Sequence, residues 1–157
     1  MKKKRHSSLR EQLLLVVLAP LLIVLLPIIL IVYFTASLLL HISVWLLWNS
    51  RGIKVLYVYS NSPNWQNHIE EQILPRLPEK RIILNWSERK HWKHQTLASM
   101  VFRHFGGDRE FNPMAVVIKP LRRAIVFRFY NAFGDFKHGK ISELQEMEAE
   151  FFRMLKT

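Results

Sequence analysis

The residues with the most chemistry to offer fall in two short polar runs, Ser60-Asn61-Ser62-Pro63-Asn64 and Ser87-Glu88-Arg89-Lys90-His91-Trp92-Lys93-His94. Glu88 and His91 form the kind of carboxylate–imidazole pair that general acid–base catalysis uses, so they are the candidate catalytic residues. Ser62 ahead of Pro63 marks a helix start, where free N–H groups and a partial positive charge suit a phosphate or carboxylate. With the charge of the second run added, the expected anion-binding set is Ser62, Asn64, Arg89, Lys90 and Lys93. The plainer reading is that Ser62 caps a helix, Asn61 and Asn64 shape a turn, and Glu88 and His91 are surface groups. His91 and His94 have a spacing that can offer two imidazoles to one metal. No third ligand with suitable spacing accompanies them and their neighbours are cationic, so no metal and no cofactor is expected. The chain has no cysteine, which removes disulfides, thiolate nucleophiles and cysteine-ligated metal sites. It also lacks a phosphate-cradling glycine loop, and Gly-x-Ser-x-Gly and His-Glu-x-x-His are absent.

A third cluster, Phe133-Gly134-Asp135-Phe136-Lys137-His138-Gly139-Lys140, mixes rings with cations. Beside a bilayer, Phe133, Phe136, Lys137 and Lys140 would suit lipid contact, rings at the interface and lysines on anionic headgroups. The alternative is that both rings pack beneath the final helix.

What must position these groups is dominated by one stretch. Leu13 to Trp48 is thirty-six residues without an Asp, Glu, Lys or Arg, well past the roughly 18 at which an apolar run reads as lipid-embedded. The chain therefore divides into a basic segment (residues 1–12), a membrane anchor (13–48) and a basic domain (49–157). The anchor is too long for one straight span. Pro20 and Pro27 are expected to bend it, giving either one kinked crossing, with Trp45 and Trp48 in the far headgroup belt, or a short hairpin turning near Pro27. The Lys2–Arg5 cluster places the N-terminus in the cytoplasm. Arg51 and Lys54 make the other flank basic too, which inclines the expectation toward a cytoplasmic domain on a hairpin. The apolar run exceeds a signal-peptide core of roughly 7–15 residues, so cleavage is not expected.

Charge points to the partner class. Between Arg76 and Lys140 fourteen Lys and Arg face five acids, an excess that favours anionic lipid or a phosphorylated ligand. No nucleic-acid module or aromatic platform accompanies it, so nucleic acid is not the expected partner.

The domain reads β-α-β-α-β-β-α. Strands are expected at residues 53–60, 81–86, 114–119 and 124–130, bounded by Pro, Gly and Asn. Helices are expected at 63–74, in a stretch ending near Phe105, and from Ser142, with residues 131–140 as loop. Four residues between the last two strands force a hairpin, since a parallel crossover needs many more. The fold class is therefore α/β, an apolar helical anchor followed by a mixed four-stranded sheet. In that order, with Ser62-Pro63-Asn64-Trp65 after the first strand and Pro113 immediately before the third, residues 53–156 resemble the thioredoxin-like fold. The resemblance implies that the Ser62–Trp65 turn occupies the place of that family's Cys-x-x-Cys, and Pro113 that of its cis-proline. Its redox chemistry does not carry over to a chain without cysteine. The expected function is a membrane-tethered binding or scaffold module at the bilayer surface. The alternative is a membrane-associated transferase acting on an anionic or nucleotide-activated substrate.

Overall fold

The computed structural model describes residues 9–92, 96–106, 112–119 and 122–156. The chain divides after Leu39 into two compact units.

The first unit is helical. α1, Leu9–Val44, is a single α-helix that continues through Pro20 and Pro27. The chain therefore does not turn back near Pro27, and the hairpin form of the anchor is not adopted. Every residue from Pro20 to Ala36 is exposed, and nearly all of them are apolar. Pro20–Asn49 is the one segment among the described residues long and apolar enough to cross a membrane.

The second unit begins on the last turns of the same helical segment. α1 widens into a π-helical turn, Trp45–Asn49. Gly52, at φ +70°, then swings the chain into the sheet, and Ile53 N donates to Trp48 O at 2.9 Å to close the helix end. Four strands follow: β1 (Val55–Tyr59), β2 (Ile82–Asn85), β3 (Met114–Val117) and β4 (Ile125–Arg128), in the spatial order β2-β1-β3-β4. β1 pairs parallel with β2 and antiparallel with β3, and β3 and β4 form the expected hairpin. Each strand is shorter than its apolar run by a residue or two at the ends. The Asn112–Pro113 peptide is cis.

All five residues of β1 are buried because the sheet is covered on both faces. Its odd positions, Val55, Tyr57 and Tyr59, join Ile69, Ile73, Phe129, Phe133 and Phe151 in one core. The even positions, Leu56 and Val58, join Val101, Phe102, Met114 and Val116 in the other, and that second core also takes in Val44 and Trp48. Trp48 is 3 % exposed. The expectation of a headgroup-belt residue is thus corrected. Trp48 fills the space over β1 that a sheet face demands, leaving Trp45 as the exposed indole.

The helices differ more from expectation. After β1, residues 63–65 are a turn, and the helical path runs as α2 (Gln66–His68), a π-helical turn (Ile69–Ile73) and a 3-10 turn (Leu74–Arg76). Pro75 supplies the reason, since a residue without an N–H cannot continue α-helical bonding. α3, Leu97–Gly106, starts at a cap: Thr96 Oγ1 accepts from Ser99 N at 3.2 Å. The segment expected as a loop is α4, Tyr130–Lys137. It ends in a Schellman turn, with Gly139 N bonded to Phe136 O and Lys140 N to Asp135 O, both at 3.0 Å, and Gly139 at φ +84°. α5, Ser142–Lys156, buries Leu144, Phe151, Phe152 and Leu155 together with Glu148, and Met147 is partly buried beside them.

Candidate functional site

The carboxyl ends of β1 and β2 do bring the two polar runs together. Asn61 N donates to Ser87 Oγ at 2.9 Å, and Asn85 Nδ2 donates to Asn61 Oδ1 at 2.6 Å and to Glu88 Oε1 at 3.3 Å. Asn85 also caps the 3-10 helix Trp86–His91, its Oδ1 accepting from Ser87 N at 3.0 Å. Asn85 is therefore the hub of this edge, and its place inside an apolar run gives no sign of that role. The bonds close on one another, as they do in a loop clamp.

The electrostatics of this edge work against the expected anion site. Tyr59 donates its hydroxyl to Glu70 Oε1 at 3.1 Å, and Gln66 Nε2 donates to the same oxygen at 3.1 Å. Burial, then that hydrogen bond, then the charges of Glu70 and Glu88 push the Tyr59 phenol up to about 12. Two carboxylates thus stand close enough to the end of β1 to act on Tyr59. The cations are not gathered there. The Arg89 guanidinium lies 4.4 Å from the Trp86 ring centre, Lys90 is exposed, and Lys93 lies outside the described residues. Ser62 Oγ accepts from Asn64 N at 3.4 Å and Ser62 O from Gln66 N at 2.9 Å, so these two residues build the turn before α2.

Glu88 and His91 sit on the same 3-10 helix without a hydrogen bond between them among the described residues; His91 is exposed at its end. The acid–base pair is therefore not assembled. His94 lies outside the described residues, and no group of three potential metal ligands occurs among those described.

The lipid-contact set divides. Phe133 is fully buried against Trp65, His68 and Phe129, and Phe136 is half-buried against His68. This corrects the expectation for the rings: helical spacing on α4 aims them into the core. Lys137 and Lys140 remain exposed, with Lys140 Nζ 3.5 Å from Asp135 Oδ1.

A part-buried polar pair lies against those rings, with the His68 side chain 25 % and the Glu148 side chain 11 % exposed. His68 Nε2 is 2.7 Å from Glu148 Oε1, joining α2 to α5. Close by in the same core, the Tyr57 hydroxyl is buried with no hydrogen-bond partner among the described residues. Burial, and secondarily the Glu148 charge, push that phenol well above its ordinary range.

A concave feature of different character lies elsewhere in the second unit, at the end of α1. A cleft of about 250 Å³ opens between the last turns of α1, the end of α3 and the ends of β3 and β4. Val44, Phe105, Ile118 and Ala124 give it an apolar lining, and Lys119 and Arg122 bring positive charge. His41 stands in its wall, 5.7 Å from the His104 ring and 5.6 Å from the Phe105 ring, each edge-on. Burial and then His41 lower the pKa of His104. No pattern in the chain points to this cleft. α1 is so uniformly apolar that it has no amphipathic face, and the stripe of Leu40, Val44 and Trp48 that turns toward protein looks like its exposed neighbours.

Compared with known proteins, the chain matches no family model, no curated protein and no solved structure.

Proposed function

We propose that this chain is a single-span, membrane-tethered α/β module that binds anionic ligands or lipid headgroups at the bilayer surface. One observation carries the reading. Residues 20–39 expose aliphatic side chains over nearly their whole length, and directly after them Leu40, Val44 and Trp48 become part of the domain's second core. Twenty helical residues reach about 30 Å, the thickness of a hydrocarbon core. An exposed apolar helix of that length has no stable place in water. The switch from exposed to buried at Leu40 supports a helix that leaves the bilayer as it enters the domain.

An uninterrupted helix supports one crossing. With the Lys2–Arg5 cluster in the cytoplasm, the domain then stands on the opposite side, away from the nucleotide pool that a nucleotide-dependent transferase would need. The strand-end side chains hydrogen-bond one another, which also supports a binding module over a transferase. The strand order, with β1 parallel to β2 and antiparallel to β3, supports a thioredoxin-like architecture for the domain. The surplus of Lys and Arg supports an anionic partner on that side of the membrane.

The test is alkaline carbonate extraction of membranes carrying the full chain, followed by mass measurement. The intact chain is expected in the membrane pellet. Release into the supernatant, or a mature protein that begins after the apolar run, would overturn the reading.

A further inference from the structure

We propose that the cleft at the end of α1 holds one anionic phospholipid of the leaflet where the domain sits, with an acyl chain against its apolar lining and the phosphate at Lys119 and Arg122. The proposal rests on the membrane-tethered reading and adds to it the class and place of the ligand.

Three features of the cleft lead there. The first is position along the chain. The lining begins at Leu40, immediately after the twenty exposed residues that match the hydrocarbon core, and reaches Trp45 on the same helical segment. Six further residues advance a helix by about 9 Å, and a headgroup layer is roughly 5–8 Å deep, so the cleft opens at headgroup level.

The second feature is chemistry. A soluble anion has no use for a lining of Val44, Phe105, Ile118 and Ala124, and a neutral apolar ligand has no use for Lys119 and Arg122. A molecule with a hydrocarbon chain joined to a phosphate uses both. Arg122 is exposed, so its planar fork can meet two phosphate oxygens, while Lys119, whose Nζ lies 3.8 Å from Met154 Sδ, brings a point charge to the same mouth. No carboxylate stands among the described lining residues to oppose an anion.

The third is continuity of the charged rim. A smaller cleft of about 90 Å³ shares Ile118 and Lys119 with the first and adds Lys54. Positive charge therefore extends beyond one mouth, toward neighbouring headgroups. Ile42, Leu46 and Leu47, exposed on the same helical end, give the surrounding surface the apolar character of a membrane interface.

The experiment uses the full chain in nanodiscs containing equal amounts of phosphatidylcholine and phosphatidylglycerol, released for native mass spectrometry. Incorporation alone tests the tether, and a chain that fails to enter nanodiscs of either lipid overturns the parent reading. Given incorporation, the expected result is one retained phosphatidylglycerol, preferred over phosphatidylcholine by about tenfold or more, as two cations at a membrane surface should give. Lys119→Gln with Arg122→Gln should abolish the preference. Ala124→Phe, which fills the lining without touching a charge, should abolish retention of both lipids while the unfolding midpoint stays near that of the parent chain. Equal retention of the two lipids, wild-type retention by the variants, or a second copy of the chain in place of lipid would overturn the proposal. So would glycerol phosphate binding in phosphatidylcholine nanodiscs as tightly as the whole lipid, since the apolar lining would then contribute nothing.

Discussion

Trp45 and Trp48 lie three residues apart on one apolar helical segment, yet the structure assigns them opposite roles. Trp48 is 3 % exposed among Val44, Leu56, Val58 and Phe102, whereas Trp45 is 37 % exposed. A buried indole removes roughly 200 Å² from water, worth about 5 kcal/mol at about 25 cal/mol per Å². Alanine recovers a little of that and the surroundings relax, so Trp48→Ala should destabilise the domain by about 3–5 kcal/mol. Trp45→Ala, in a half-open site, should cost no more than about 1 kcal/mol. The assay is urea unfolding of the full chain in nanodiscs, with protease pulses reporting the folded fraction. If both tryptophans sat in a headgroup belt, both variants would leave the urea midpoint nearly unchanged. Equal effects, or a larger one for Trp45→Ala, would refute the assignment of Trp48 to the core.

Three further outcomes follow from the other core. His68→Ala should leave the Glu148 carboxylate buried without its partner and cost about 1–3 kcal/mol in the same unfolding assay. Tyr57→Phe removes a buried hydroxyl that lacks a hydrogen-bond partner, so it should raise stability by about 1 kcal/mol; a loss of that size would mean the hydroxyl is bonded. For Tyr59, the folded pKa of about 12 lies above the unfolded value near 10. The unfolded chain therefore loses its proton first as pH rises. Stability contributed by neutral Tyr59 is complete below pH 10 and declines between 10 and 12, and Tyr59→Phe should flatten that decline in unfolding curves taken across the window.

The parts of the fold that were legible in the sequence share a local cause. β1 and β3 are apolar, β-branched runs between Gly, Pro and Asn, so their place and burial could be read directly. The antiparallel β3–β4 pair followed from the shortness of its connection. α4 reads as loop in the sequence because Gly134 and Gly139 are turn residues by habit. The helical spacing of Phe129, Phe133 and Phe136, ended by a glycine suited to a left-handed cap, was the signal that outweighs them. The bonding changes after His68 were hidden because tertiary packing of Ile69 and Ile73 holds the path while Pro75 alters its hydrogen bonds.

The site was less legible than the fold. That both polar runs follow strands can be read from the strand pattern, but the orientation of Arg89 over Trp86 depends on packing and not on pattern. The His68–Glu148 pair joins residues eighty positions apart, and no periodicity points from one to the other. In α1, a residue facing lipid and one facing a protein core demand the same side-chain chemistry, so the cleft could only be found in three dimensions.

The central claim is that one helix crosses a bilayer once and continues into the domain. The cysteine-free chain allows a direct measurement: single cysteines at Lys3→Cys and Lys137→Cys, probed with a membrane-impermeant maleimide in sealed vesicles of known sidedness. The account predicts that Lys137→Cys, exposed at the end of α4, is labelled from the extracytoplasmic side and Lys3→Cys only from the cytoplasmic side. Labelling of both positions from the same side would contradict it.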